Sequence, residues 1–166
     1  FKFLSKNFYI SFSIVALIYF LDRLSKIYVI QLDKNNLGSD IFNSTYLNIV
    51  LIWNKGIAFG LLSFNESYLY NIISLIIAII IIVLIIISSK NQGFKRYSLL
   101  MIVGGALGNL HDRIFFNAVP DFIDFHIGNF HWFIFNVSDI FITLGVISMI
   151  IVELIDKDKH NHDKNI

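Results

Sequence analysis

Two aspartates in this chain are placed where a pair of carboxylates could work together. Asp121 and Asp139 bracket the segment "DFIDFHIGNFHWFIF" at 121–135, which reads as two short strands around Gly128-Asn129, a hairpin signal. A hairpin brings its own ends together. If the two carboxylates meet, like charge raises one pKa and the pair shares a proton. Asn136 is positioned to cap the helix that follows, with Asp139 as its capping-box partner at the positive end of the helix dipole. That placement favours Asp139 as the charged member and Asp121 as the proton holder, with the reverse assignment still open. Such a pair is equipped to activate water and to protonate a leaving amine. No other nucleophile competes: Ser138 has no neighbouring histidine or lysine in sequence, and the chain has no cysteine.

The remaining polar residues gather in the same places. Asp22, Arg23 and Lys26 close one apolar run. Asn109, Asp112 and Arg113 close another, and Asn136, Ser138 and Asp139 open a third. Ionisable groups at such a depth in a membrane protein face a bundle interior or cavity and mark function. Each also has a plain structural reading. Asp139 serves as a cap partner, and Asp22 with Lys26 as an i,i+4 pair. Asp112 and Arg113 serve as interfacial snorkellers, and Gly104 with Gly108 as a close-packing GxxxG. Asn54-Lys55-Gly56 makes a turn. His126 and His131 read as surface strand residues, and His111, His126 and His131 lack a ligand spacing, so no metal is expected.

The elements that must position these groups are membrane helices. Of 166 residues, 56% are hydrophobic and 15% charged, with mean hydropathy +0.70. A soluble domain carries about 25% charged residues. Four spans are expected, at 8–30, 68–87, 97–114 and 137–155, in one domain covering 1–166 with a polar, disordered tail at 156–166. The run "IIAIIIIVLIII" in the second is too long for a strand. No small-x-small site follows the first, so it is read as an anchor and not a signal peptide. The chain opens on Phe1 and not Met, so residues upstream are expected. The fold class is thus a mainly α membrane protein with a small extracytoplasmic sheet, drawn from "STYLNIVLIW" (44–53) and 121–135, and an outer loop. Trp53 and Trp132 suit an aromatic belt. Lys2, Lys6, Lys90, Lys95, Arg96, Lys157, Lys159 and Lys164 flank one side; Arg23, Lys26, Lys34, Lys55 and Arg113 lie on the other. The excess on the first side predicts both termini in the cytoplasm.

Five motifs in order then carry a resemblance: "LDRLSK" at 21–26, "NKGIAFG" at 54–60, "GGALGNLHDR" at 104–113, "VPDFIDF" at 119–125 and "FNVSD" at 135–139. Across nearly the whole chain they resemble the lipoprotein signal peptidases (signal peptidase II), aspartyl peptidases of the bacterial inner membrane. The resemblance implies removal of signal peptides from prolipoproteins, cutting before a diacylglyceryl-modified cysteine. It implies Asp121 and Asp139 as the catalytic pair, with Asp22, Lys26, Asn54, Gly56, Asn109, Arg113 and Asn136 in support or substrate binding. It implies no cofactor and no nucleic acid. The expected partners are the lipidated substrate, the bilayer and cyclic peptide inhibitors of the globomycin type. Two departures stand out: Ile57 and Ser138 occupy positions where the family often has alanine. Ile57 is expected to narrow the groove and Ser138 to add a hydroxyl beside the pair. Two competing classes are a small proton-coupled carrier using Asp22, Asp112 and Asp121, and a non-enzymatic adaptor. No broken span or inverted repeat favours the carrier.

Overall fold

The computed structural model describes residues 6–36, 41–56 and 67–163. Ile57 and residues 58–60 of the "NKGIAFG" motif, the outer loop beyond them, Lys2 and Lys164 lie outside the described residues. The elements run α1 (Lys6–Asn35), β1 (Leu47–Asn54), α2 (Ser67–Lys90), α3 (Gly93–Phe116), β2 (Val119–Ile127), β3 (Phe130–Phe135) and α4 (Val137–Asp163).

By length and composition, α2, α3 and α4 are apolar enough to cross a membrane. The isoleucine-rich α2 is helical despite its β-branched residues. In lipid only a helix satisfies every backbone group within its own segment. Only 11% of its span is buried, against 50% for α3, which is the least apolar of the three. A helix that faces lipid must be greasy all round, whereas a helix wrapped by others need not be. Accordingly α3 packs against α1, α2 and α4.

Glycine makes that central position possible. A Cβ on Gly104 would lie 2.9 Å from Ile18 Cβ of α1, and one on Gly105 would lie 2.5 Å from the Ser138 carbonyl of α4. On α4, a Cβ at Gly145 would lie 2.8 Å from the Ser98 carbonyl. Small residues let helix backbones approach where no hydrophobic effect drives association.

The four-span expectation is met for three helices. At 30 residues, α1 is about 45 Å long, enough to cross. Its apolar run is broken by Asp22, Arg23 and Lys26, whose charges are satisfied inside the bundle. The polar tail expected from 156 onward also differs, because α4 continues as helix to Asp163.

At one end, Arg96 near the start of α3 donates to the Asn7 carbonyl at 2.8 Å and also to Ser11 Oγ of α1. There too, Lys95 pairs with Glu153 of α4 at 2.9 Å. The starts of α1 and α3 and the end of α4 therefore lie together. At the other end is the sheet, antiparallel in the order β1-β2-β3. Asn117, with φ 51°, turns the chain out of α3 toward β2. Gly128, with φ +58°, makes the tight turn between β2 and β3, so Ile127 pairs with Phe130 and His126 with His131. Trp53 and Trp132 are exposed on this end, Trp53 packing 5.8 Å from Phe116.

Candidate active site

The start of α4 builds the first half of the site. Asn136 Oδ1 accepts from the Asp139 amide at 3.2 Å, and Asp139 Oδ2 accepts from the Asn136 amide at 3.2 Å. This is a reciprocal capping box that satisfies two orphan donors. It leaves Asn136 Nδ2 free to reach out of the helix, and that group donates to Asp121 Oδ1 at 2.6 Å. One asparagine thus links both carboxylates.

The sheet supplies the second half. Asp121 on β2 stands in register with Ile52 on β1. Just along β1, Asn54 donates through Nδ2 to Asp121 Oδ2 at 2.9 Å, and its Oδ1 accepts from the Gly56 amide at 2.8 Å. That second bond is an Asx turn, and it orients the amide so that its NH2 faces the carboxylate. Arg113 donates to the Gly56 carbonyl at 3.5 Å and to the Asn109 carbonyl at 3.2 Å, tying the turn to α3. Asp121 is almost fully buried, and burial, then the charge of Asp139, pushes its carboxyl up to about 6. Donation from Asn54 and Asn136 pulls the other way without cancelling this.

Beneath the pair is a charge cluster. Lys26 Nζ uses its donors on Asp22 at 2.9 Å, Asp112 at 2.7 Å and Asn109 Oδ1 at 2.9 Å. Asn109 then passes the order upward, donating to Asp139 Oδ1 at 2.8 Å. Arg23 pairs with Asp22 at 3.0 Å and Asp112 at 2.7 Å. Asp22, Lys26 and Asp112 have no exposed surface. Buried charges persist only when paired and hydrogen-bonded, and here two cations meet two anions. Asp22 also accepts from the Ser138 amide at 3.0 Å, which caps α4 a second time.

All nine residues singled out from the sequence therefore join one hydrogen-bonded network. Asp112 and Arg23, not counted among them, belong to it as well. Asp112 stands one turn beyond Asn109 on α3, and that spacing is a signal for it. Ser138 differs from its expected place. Its hydroxyl is buried against the face of Gly108, beside Asp22, and makes no hydrogen bond to either member of the carboxylate pair.

The histidines differ too. His126 and His131, read as surface strand residues without ligand spacing, offer ligand atoms that lie with one from Asp124 within 4.8 Å of one another. The reason is register: a two-residue turn at 128–129 sets position 126 opposite 131. The Gly128-Asn129 turn carries that register in the sequence itself.

From the carboxylates a groove of about 450 Å³ opens along the bundle. Ile77, Ala106, Ile142, Val146 and Ile147 line its length, and Asn54, Asn109, Arg113, Asp121 and Asp139 its polar end. Arg113 Nε is buried without a partner. A second cavity of about 470 Å³ opens at the far end of the bundle, around Arg96 and Ser88, with no carboxylate in its lining.

Comparison with known proteins meets this geometry. The profile described as signal peptidase (SPase) II matches residues 14–155. A lipoprotein signal peptidase of Pelagibacter ubique (strain HTCC1062) is 48% identical over 160 residues, covering 96% of each chain. One from Anaplasma phagocytophilum (strain HZ) is 42% identical over 143 residues, covering 85% of this chain and 89% of that one. A bacterial membrane enzyme solved by the in meso method at 2.3 Å superposes with TM-score 0.73 at 31% identity, covering 90% of each chain. A family match over most of the chain, apolar helices and a shared fold agree: this multi-pass bacterial membrane protein belongs to the signal peptidase II family of proteases.

Proposed function

We propose that Asp121 and Asp139 cleave the signal peptide from prolipoproteins, cutting before a diacylglyceryl-modified cysteine. The observation that carries this is Asn136, which donates to both carboxylates, through its side chain to Asp121 and through its backbone amide to Asp139, at the head of an apolar groove. A water held between the pair loses a proton to Asp139 as it attacks the scissile carbonyl. Asp121 gives its proton to the carbonyl oxygen. Collapse of the tetrahedral intermediate then expels the amine, which takes a proton from the pair. Asn54, Asn109 and Asn136 hold the carboxylates, while Lys26, Asp22 and Asp112 hold Asn109 and the cap of α4. Arg113 Nε is free to take a substrate carbonyl.

The setting suits that substrate. A signal peptide is an apolar helix, and it stays in lipid or in the groove while its end is cut. Drawing the cysteine's acyl chains into water would cost about 0.8 kcal/mol per methylene. In this reading α1 is the fourth crossing, the protein lies in the inner membrane, and both termini are cytoplasmic. The side-by-side starts of α1 and α3 and end of α4 gather basic residues at one end, in keeping with the lysine and arginine distribution. Cyclic peptides of the globomycin type would compete for the same groove. The carrier reading loses support, because Asp22 and Asp112 are committed to Lys26 and Arg23.

The test is cleavage by purified protein in detergent. A diacylglyceryl-modified prolipoprotein should be cut immediately before its cysteine, and the unmodified form should not. Failure to cut the lipidated substrate, or cutting at another bond, would overturn the proposal.

A further inference from the structure

We propose that Asp124, His126 and His131 form a binding site for one divalent transition metal ion of the zinc class, on the sheet and separate from the carboxylate pair. Their ligand atoms lie within 4.8 Å of one another, two imidazole nitrogens and one carboxylate oxygen. Two nitrogens and an oxygen suit zinc and its neighbours, with a fourth position left to solvent.

A second observation points to the same place. His126 is 9% exposed, and its Nδ1 is buried without a hydrogen-bond partner. An unpaired polar atom in the interior is costly, and a metal bond through this nitrogen would remove that cost once the His131 ring, stacked 4.9 Å from that of His126, turns so that the two converge on the ion. The rest of the site is prepared. The Asp124 carboxylate is buried and is oriented by Asn48 Nδ2 at 3.3 Å. The His126 amide donates to the Tyr46 carbonyl at 3.0 Å, fixing the backbone beneath its ring. His131 already approaches the Asp124 carboxylate through Nδ1 at 2.9 Å.

Tetrahedral zinc with bonds of about 2.0 Å needs ligand atoms about 3.3 Å apart, so the cluster must contract. The His131 side chain is 52% exposed and supplies both the freedom to move and the entry path. Because β2 carries Asp124 and His126 while β3 carries His131, the ion staples the two strands that lie between the catalytic carboxylates. It takes no part in peptide cleavage, since Asp121 and Asp139 are occupied by other partners.

The experiment uses untagged full-length protein in detergent, in a His160→Gln/His162→Gln background that removes the histidines of the C-terminal tail. Cobalt(II) is titrated by absorption spectroscopy and zinc(II) by calorimetry. One equivalent should bind, with the intense visible bands of four-coordinate cobalt. His131→Gln should weaken binding by at least about tenfold, since loss even of outer-shell support costs 10–100-fold. Asp124→Asn and His126→Gln should do the same. His131 is exposed, so its variant tests the site even if the buried variants fail to fold, and melting curves identify such failures. Absence of one-to-one binding, binding unchanged in a folded His131→Gln variant, or binding found only when His160 and His162 are present would each overturn the proposal.

Discussion

Replacing Asp121 by asparagine removes the proposed proton carrier while keeping its shape, and the structure gives a magnitude for the consequence. Burial and the neighbouring Asp139 hold the Asp121 carboxyl at about 6 against an ordinary 3.8. A shift of about two units is on the order of 3 kcal/mol, at 1.36 kcal/mol per unit. The folded chain holds this proton more tightly than the unfolded one. Stability is therefore full below about pH 4, falls as pH rises toward about 6, and stays lower by that amount above it. Asparagine does not titrate and escapes this loss. It carries its own cost, because its NH2 meets the NH2 of Asn54 or Asn136. Neither can turn round, since their Oδ1 atoms are committed to the amides of Gly56 and Asp139. A buried donor left unpaired costs about 1–3 kcal/mol at any pH. The variant should thus be about 1–3 kcal/mol less stable than the native protein near pH 4, and equal or slightly more stable at pH 8. Denaturant unfolding in detergent at both pH values, followed by circular dichroism, measures this. A stability difference that does not move with pH would refute the reasoning. In the same samples cleavage should fall by at least about 10²-fold, the usual share of acid–base catalysis. Near-native turnover by the folded variant would refute the dyad.

Asn54→Ala should slow single-turnover cleavage by roughly fivefold to hundredfold, the effect of losing about 1–3 kcal/mol of hydrogen bonding. Asp139→Asn should be far worse, and equal loss in the two would give Asn54 a part in the chemistry. With Asp121 as the proposed proton donor, kcat/KM should fall toward tenfold per pH unit above about 6, where its carboxyl ionises; a profile flat from pH 6 to 9 would exclude it as donor. Reporter fusions after Ser89 and Lys159 should read cytoplasmic and one after Ser63 outside, and the opposite labelling at Ser63 would invert the proposed orientation. Chelation should leave the initial cleavage rate intact, since no metal is needed between the two carboxylates; a loss restored by a divalent ion would bring a metal into the reaction itself.

Much of this protein is legible in its sequence. Helix in α2 follows from a run of apolar residues too long for a strand, and the hairpin follows from Gly128-Asn129 between β-forming segments. The capping box at Asn136 and Asp139 is a pattern three residues long, and the structure contains it as written. Such features are local, because their partners stand within a turn of each other. Tertiary structure decided what each polar group is for. Lys26 meets Asn109 and Asp112 across more than eighty residues of sequence, which turns an apparent i,i+4 pair into the foundation of the site. The Ser138 hydroxyl was expected to act on the carboxylate pair, but packing of α4 against Gly108 sets it beside Asp22 with no hydrogen bond to that pair. Charges interrupting α1 count against a membrane span in composition alone, yet packing against α3 neutralises them. His126 and His131 look unremarkable until strand register sets them face to face. Sequence periodicity specifies which face of an element is apolar, but a polar side chain in a greasy chain acquires its role from a partner. That partner is chosen by how helices and strands pack, through contacts between residues far apart in the chain.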